Sequence, residues 1–197
     1  MGKSNQHVTD RELIDRVLAG DTRAYQGLVE RYQHMVFTLA VRLLRNRELA
    51  EETAQDVFVK AYLGLKGFRG GSKFSTWLYK IAYYRILDVA EAEGRKPGLR
   101  SDLLPEKITA RSLDDTWSQL MEKERRAVLD EALGRLDPGD RALLSLFYLQ
   151  EQSLQEVSEI TGLKAGAIKV RLFRARERLR ESLETHMNGK ILEDYER

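Results

Sequence analysis

The sequence predicts an all-α protein: two small helical domains joined by a flexible linker, the C-terminal one carrying a helix-turn-helix. Three observations predict it. Apolar residues recur at helical spacing in one segment after another, and no segment sustains the alternation of a strand. Each of the three prolines falls in a linker or at a first helical turn, where proline is tolerated. A charged stretch of little periodicity, EGRKPGLRSDLLPEK, holds Pro97 and Pro105 and separates two groups of helical segments. These features divide the chain into a first domain (1–93), a linker (94–114), a second domain (115–185) and a frayed tail (186–197).

In the first domain, Thr9 with Glu12 forms a capping box for a helix from Asp10 to Ala19, stopped by Gly20. Asp21 is the candidate cap of a long second helix reaching about Arg45. A third runs from Glu48 to Leu65 with Leu49, Thr53, Val57 and Ala61 on one stripe. After a flexible loop made by Gly64, Gly67, Gly70 and Gly71, Ser75 is the candidate cap of a fourth helix ending near Glu93. In the second domain, helices are expected at Trp117–Leu136 and Asp140–Gln150, the latter started by Asp137 and Pro138 as cap and first position.

The last part of the chain reads helix, tight turn, helix. Ser153 and Glu156 suit a capping box, Val157 and Ile160 give an inward face, and Gly162 supplies the turn. The second helix follows in KAGAIKVRLFRARERLR, with seven basic residues against a single acid, Glu177, in a chain of net charge +2. That local excess points to a polyanion. Ile168, Leu172, Ala175 and Leu179 fall on one side, and Val170, Phe173, Arg174 and Glu177 opposite. In a helix-turn-helix the second helix enters the major groove. Lys169, Val170, Phe173 and Arg174 are then base-facing candidates, while Arg171, Arg176 and Arg178 suit flanking phosphates. A solvated basic helix, or a Phe173 that docks a protein, are the competing readings.

A second constellation lies in FRGGSKFSTWLYKIAYYRILD. Phe74, Leu78, Ile81, Ala82 and Val89 share one side of its helix, and Trp77, Lys80, Tyr83 and Tyr84 lie roughly opposite. Aromatics interleaved with lysines make a stacking platform for single-stranded bases. The preceding loop, Phe68 to Lys73 with Ser72 in it, is cationic and glycine-rich, so backbone can approach a nucleic acid closely. The competing reading packs one or two of these aromatics into the core. A third feature, the acidic face Glu48, Glu51, Glu52 and Asp56, suits either a protein-docking surface or plain solvation.

Composition sets outer bounds. A length of 197 residues fits one or two domains, and 42% hydrophobic with 32% charged residues suits a helix-rich globular chain rather than a disordered one. Cysteine is absent, which excludes disulfides and thiol chemistry, and His7, His34 and His186 lack metal-ligand spacing. No nucleophile–base pair or phosphate-cradling glycine motif is present, so no enzyme, catalytic residue, metal or cofactor is expected. The longest apolar stretch, Ala142–Leu149, is too short to span a bilayer, and MGKSNQHVTD lacks an apolar signal core. A cytoplasmic protein without membrane insertion is therefore expected.

Together the three segments resemble the bacterial RNA polymerase sigma factors of the extracytoplasmic-function group. AEETAQDVFVKAY is similar to the helix that docks on the polymerase clamp, and FRGGSKFSTWLYKIAYYRILD to the segment that melts and reads the promoter −10 element. LDPGDRALLSLFYLQEQSLQEVSEITGLKAGAIKVRLFRARERL resembles the region that reads the −35 element. The resemblance implies an initiation factor that lends promoter specificity to core RNA polymerase and is held by an anti-sigma factor until a signal releases it. It implies polymerase binding through Gln55 and Asp56, with Glu52 beside them. It implies −10 contacts from Phe68, Ser72, Lys73, Trp77, Lys80, Tyr83 and Tyr84, and −35 contacts from Lys169, Val170, Arg171, Phe173, Arg174 and Arg178. Tyr84 stands where many members have Asn, which puts the −10 base preference in question, and Val170 replaces a common Ser, removing one polar contact. An operator-binding regulator explains the basic helix but leaves the Trp77 platform unused. A sigma-like adaptor acting only through protein contacts would fit the departures at Tyr84 and Val170.

Overall fold

The computed structural model describes residues 8–94 and 127–195, with side chains described to residue 185. The described residues are helical and contain no strand. The order is α1 (Asp10–Leu18), α2 (Ala24–Leu44), α3 (Arg47–Gly64), a 3₁₀ turn (Leu65–Gly67), α4 (Phe74–Gly94), α5 (127–134), α6 (Pro138–Leu144), α7 (Leu154–Thr161) and α8 (Ala165–Tyr195). The segment 95–126, which holds nearly all of the expected linker and the start of the expected Trp117 helix, lies outside the described residues.

Local chemistry accounts for most helix ends. The Thr9 hydroxyl accepts from the Glu12 N–H, and the Thr9 N–H donates back to the Glu12 carboxylate at 2.7 Å. Ser153 and Glu156 repeat that box at the start of α7, and the Asp137 carboxylate accepts from the Gly139 and Asp140 N–H groups at the start of α6. Three expected starts shift. Helix α2 begins at Ala24, with Arg23 rather than Asp21 at the cap position and making no side-chain cap bond, while the Asp21 carboxylate pairs with Arg16 at 2.6 Å and the intervening residues turn. Asn46, not foreseen, caps α3 by accepting from the Leu49 N–H at 3.0 Å. Helix α4 starts at Phe74, one residue before Ser75.

Two further expectations are corrected. The helix expected at Asp140–Gln150 changes after Leu144 into a π-helical turn over Ser145–Leu149. The tail expected to fray continues α8 to Tyr195.

The N-terminal half packs α2, α3 and α4 around Leu28, Leu39, Leu43, Val57, Leu78 and Ile86, each at most 2% exposed. The C-terminal half closes around Leu143, Leu146, Val157, Ile160 and Ile168, all fully buried. Each such side chain contributes about 1.5–3 kcal/mol by leaving water. Of the expected stripe, Thr53, Val57 and Ala61 are buried and Leu49 is half-buried, and a second row, Ala50, Ala54 and Phe58, joins them.

The halves are not apart. Helix α4 lies against α7, α2 and α4 against α6, and the buried residues of both halves form one continuous cluster. Arg141 of α6 is 7% exposed and donates to the carbonyls of Leu43, Gly134 and Leu136 at 2.8, 3.0 and 2.9 Å. Burial, with Arg45 nearby, pulls its guanidinium down to about 10. The Tyr79 hydroxyl donates to the Gln150 side-chain carbonyl at 2.7 Å, a second polar tie between the halves.

Candidate nucleic-acid interface

The turn between α7 and α8 sets the pose of the basic helix. Gly162 adopts φ +73°, a left-handed conformation that glycine takes without cost, and its N–H donates to the Ser158 carbonyl at 2.8 Å. The Ser158 hydroxyl donates to the Leu163 carbonyl at 2.6 Å and locks the turn from the other side. Ile168, Leu172 and Ala175 then go into the core. Val170 and Phe173 are 51% and 56% exposed, with Lys169 and Arg174 exposed beside them. These four, expected to face a duplex, share one solvent-facing surface.

Arg171 and Arg178 are placed differently from the expectation. Both converge on Asp140 at the first turn of α6, Arg171 at 2.8 Å and Arg178 at 2.7 Å, and each lies within 4 Å of Asp137. The Asp140 side chain is only 6% exposed, so its charge needs these partners. The two arginines therefore tie α8 to α6. Arg176, on the other flank, is exposed and donates to the Tyr148 hydroxyl at 3.1 Å.

The loop before α4 and the start of that helix form a cleft of roughly 310 Å³ with Phe68, Ser72, Trp77 and Lys80 on its wall. Phe68, Phe74 and Trp77 hold one another with ring centroids 5.3–5.6 Å apart, which fixes the half-buried indole at the cleft. Tyr83 is the correction here. Expected on the outward face, it is 5% exposed, and burial raises its hydroxyl pKa. Tyr79 and Tyr83 make a second buried stripe one turn apart, so α4 is covered on more than one side. Tyr84 is 45% exposed, but its hydroxyl donates to the Thr161 carbonyl at 3.0 Å. The Lys73 ammonium bonds the Glu156 carboxylate at 2.8 Å, and Glu159 of α7 lies on the cleft wall. Lys73 and the Ser153 cap hold the Glu156 carboxyl down to about 2.

On α3, Glu52 and Gln55 are exposed, and Asp56 accepts a 2.6 Å ion pair from Arg85 while staying partly open. Val59 and Leu63, 58% and 75% exposed, continue the same stripe. Sequence reasoning passed over these two. Their signal was spacing, since Val59 follows Glu52 and Leu63 follows Asp56, each by seven residues along an acidic face.

Residues 28–96 match the family described as Sigma-70 region 2, and residues 126–179 that described as Sigma-70, region 4. The chain is 33% identical to the RNA polymerase sigma-H factor of Pseudomonas aeruginosa, over 89% of this chain and 94% of that one. It is 30% identical to the ECF RNA polymerase sigma-E factor of Haemophilus influenzae, over 92% and 99% of the two chains. Among solved structures, CnrH in complex with the cytosolic domain of CnrY superposes with a TM-score of 0.65 at 25% identity, covering 89% of this chain and 97% of that one. The sigma factor RpoE of Bartonella quintana, in complex with the anti-sigma factor NepR, shares the fold with a TM-score of 0.61 at 23% identity, covering 81% and 96%. No helix among the described residues is long and apolar enough to cross a membrane.

Proposed function

The chain belongs to the extracytoplasmic-function group of sigma-70 factors, and from that premise we propose how its surfaces divide the work of promoter selection. It is a transcription initiation factor that directs core RNA polymerase to specific promoters. Synthesis belongs to the polymerase, and this chain contributes recognition alone, acting in the cytoplasm and without a cofactor.

Region 2, residues 1–93, docks on the polymerase through Glu52, Gln55 and Asp56, with Val59 and Leu63 adding the apolar centre that a protein interface needs. Its cleft captures a −10 base from the opened strand against Trp77, with Lys73 and Lys80 toward the phosphates. The stacking offsets part of an unpairing cost of about a few kcal/mol. Region 4, residues 115–185, presents α8 to the −35 duplex. Val170 and Phe173 suit thymine methyls, Arg174 suits a guanine edge and Lys169 a flanking phosphate. Arg171 and Arg178 position the helix from Asp140.

One observation carries this reading: a single chain holds an outward apolar-and-basic recognition helix and a separate aromatic cleft, and reading duplex and opening strands require different surfaces. An anti-sigma factor restrains the protein, as one is bound to the relative from Bartonella quintana. The test is binding of the reconstituted holoenzyme to a forked promoter with a single-stranded −10 segment. Preference for the fork over uninterrupted duplex supports the division of labour, and equal binding to both, with no association with core polymerase, rejects it.

A further inference from the structure

Resting on the reading of α8 as the helix that meets the −35 duplex, a further contact follows from the way its two flanks are furnished. On one flank Arg171 and Arg178 are both drawn to Asp140. The opposite flank carries Lys169 and Arg176, two helical turns apart and both exposed. Among the described residues neither has a carboxylate partner, and Glu177 on the outer face is held by Arg180 at 3.3 Å. Arg176 instead donates to the Tyr148 hydroxyl at 3.1 Å, a partner 28 residues away in sequence.

Tyr148 reaches that flank from the π-helical turn Ser145–Leu149. The Gln150 N–H donates to the Ser145 carbonyl at 2.9 Å, five residues back rather than the four of an α-helix. Ser145 and Leu146 fix the turn in the core, both fully buried, and Phe147 meets the Tyr148 ring edge-on with centroids 4.9 Å apart. The Tyr148 side chain is thus supported from one side and 46% exposed on the other. A phenol hydroxyl that accepts from Arg176 still has its own proton to donate, and the guanidinium keeps further N–H groups. Donors backed by a full positive charge, with no carboxylate to satisfy them, suit a phosphate oxygen. We infer that Tyr148 and Arg176 form a phosphate anchor: hydroxyl and guanidinium together take one backbone phosphate of the −35 duplex, with Lys169 following the same strand. The anchor sets the rotation of α8 in the groove, so that Val170, Phe173 and Arg174 meet the base pairs they read. Because Arg171 and Arg178 are engaged by Asp140, the anchoring is one-sided.

The test uses core polymerase reconstituted with the full chain and a duplex promoter that this holoenzyme transcribes. Uncharged methylphosphonates replace the phosphates of the −35 element one at a time on each strand. Wild-type holoenzyme should lose about tenfold in affinity at one or two adjacent phosphates of a single strand. Tyr148→Phe keeps the ring and its packing and removes only the hydroxyl. It should weaken binding to the native duplex about threefold and lower the penalty at those same phosphates to about threefold, leaving the others unchanged. Arg176→Ala should lower that penalty below about twofold and reduce the slope of log affinity against log salt by about 1. Both variants should keep the wild-type ranking of −35 base-pair substitutions, because a phosphate contact carries no sequence information.

Wild-type affinity and an unaltered phosphate profile in Tyr148→Phe overturn the inference. So does a loss spread evenly over all phosphates with a lowered Tm of the free chain, which makes the tyrosine a support of the fold. A loss confined to one base pair overturns it too, since Tyr148 would then read sequence. The two readings fail separately. Wild-type holoenzyme indifferent to every −35 substitution rejects the placement of α8 on that duplex and the anchor with it. Sensitivity to those substitutions, with a phosphate profile that neither variant moves, rejects the anchor alone.

Discussion

Phe173→Ala is the sharpest perturbation of the duplex-reading surface. The residue is 56% exposed, so about 110 Å² of a phenylalanine's roughly 200 Å² is free to be covered by a base edge. At about 25 cal/mol per Å², full coverage is worth at most ~2.8 kcal/mol, a hundredfold in affinity. Protein–DNA grooves retain water and cover such a ring incompletely, so a loss of about 1–2 kcal/mol is expected, roughly five- to thirtyfold. The assay is anisotropy on a duplex −35 element taken from a promoter that the holoenzyme transcribes, with each base pair substituted in turn. The loss should be concentrated at one or two positions. Thermal unfolding should move by less than about 0.5 kcal/mol, because the ring is a surface group in the free chain. A uniform loss across all sequences, or an unfolding shift above about 2 kcal/mol, would refute the assignment and make Phe173 a packing residue.

Other perturbations separate the remaining surfaces. Asp140→Asn should destabilise the C-terminal half by ~1–2 kcal/mol, discounted for partly exposed arginine partners and read as a lowered Tm, since it weakens the ties from Arg171 and Arg178. Val59→Asp, at a position 58% exposed, should weaken core polymerase binding about tenfold while leaving helicity and Tm unchanged. Leu78→Ala, at a fully buried position, should cost ~2–5 kcal/mol in denaturant unfolding. For pH, the Glu156 carboxyl is depressed from 4.5 to about 2, so its contribution to the Lys73 contact is complete above 4.5 and is lost as pH falls toward about 2. Lys73 is raised above 10.5 by the same partner, so its side of the contact is present below that value and lost only at higher pH. The difference in Tm between the wild-type chain and Lys73→Ala should therefore stay flat from about pH 5 to 9, and a change in it centred near neutral pH would contradict this pairing.

Features governed by near neighbours were legible in the sequence. The boxes at Thr9 and Ser153, the Asp137–Pro138 start and the Gly162 turn each depend on residues within about four positions. The outward set Val170, Phe173 and Arg174 followed from one periodic stripe. What escaped notice depends on distant partners. Arg171 and Arg178 meet Asp140 across 31 and 38 residues, and no local pattern distinguishes them from Arg174 or Arg176. Tyr83 misled because α4 packs on α2, α3 and α7 at once, so dividing it into one inward and one outward face fails. Val59 and Leu63 look like core residues by side-chain type, and only their heptad spacing from Glu52 and Asp56 marks them as part of the outer face that the structure exposes.

Direct sequencing of the 5′ ends of transcripts made by core RNA polymerase reconstituted with this chain, on total DNA of its host, bears most directly on the central claim. The account predicts start sites that appear only with the chain present and share a −35 and a −10 element at fixed spacing. Start sites unchanged by its addition, or a chain that does not associate with core polymerase, would contradict it.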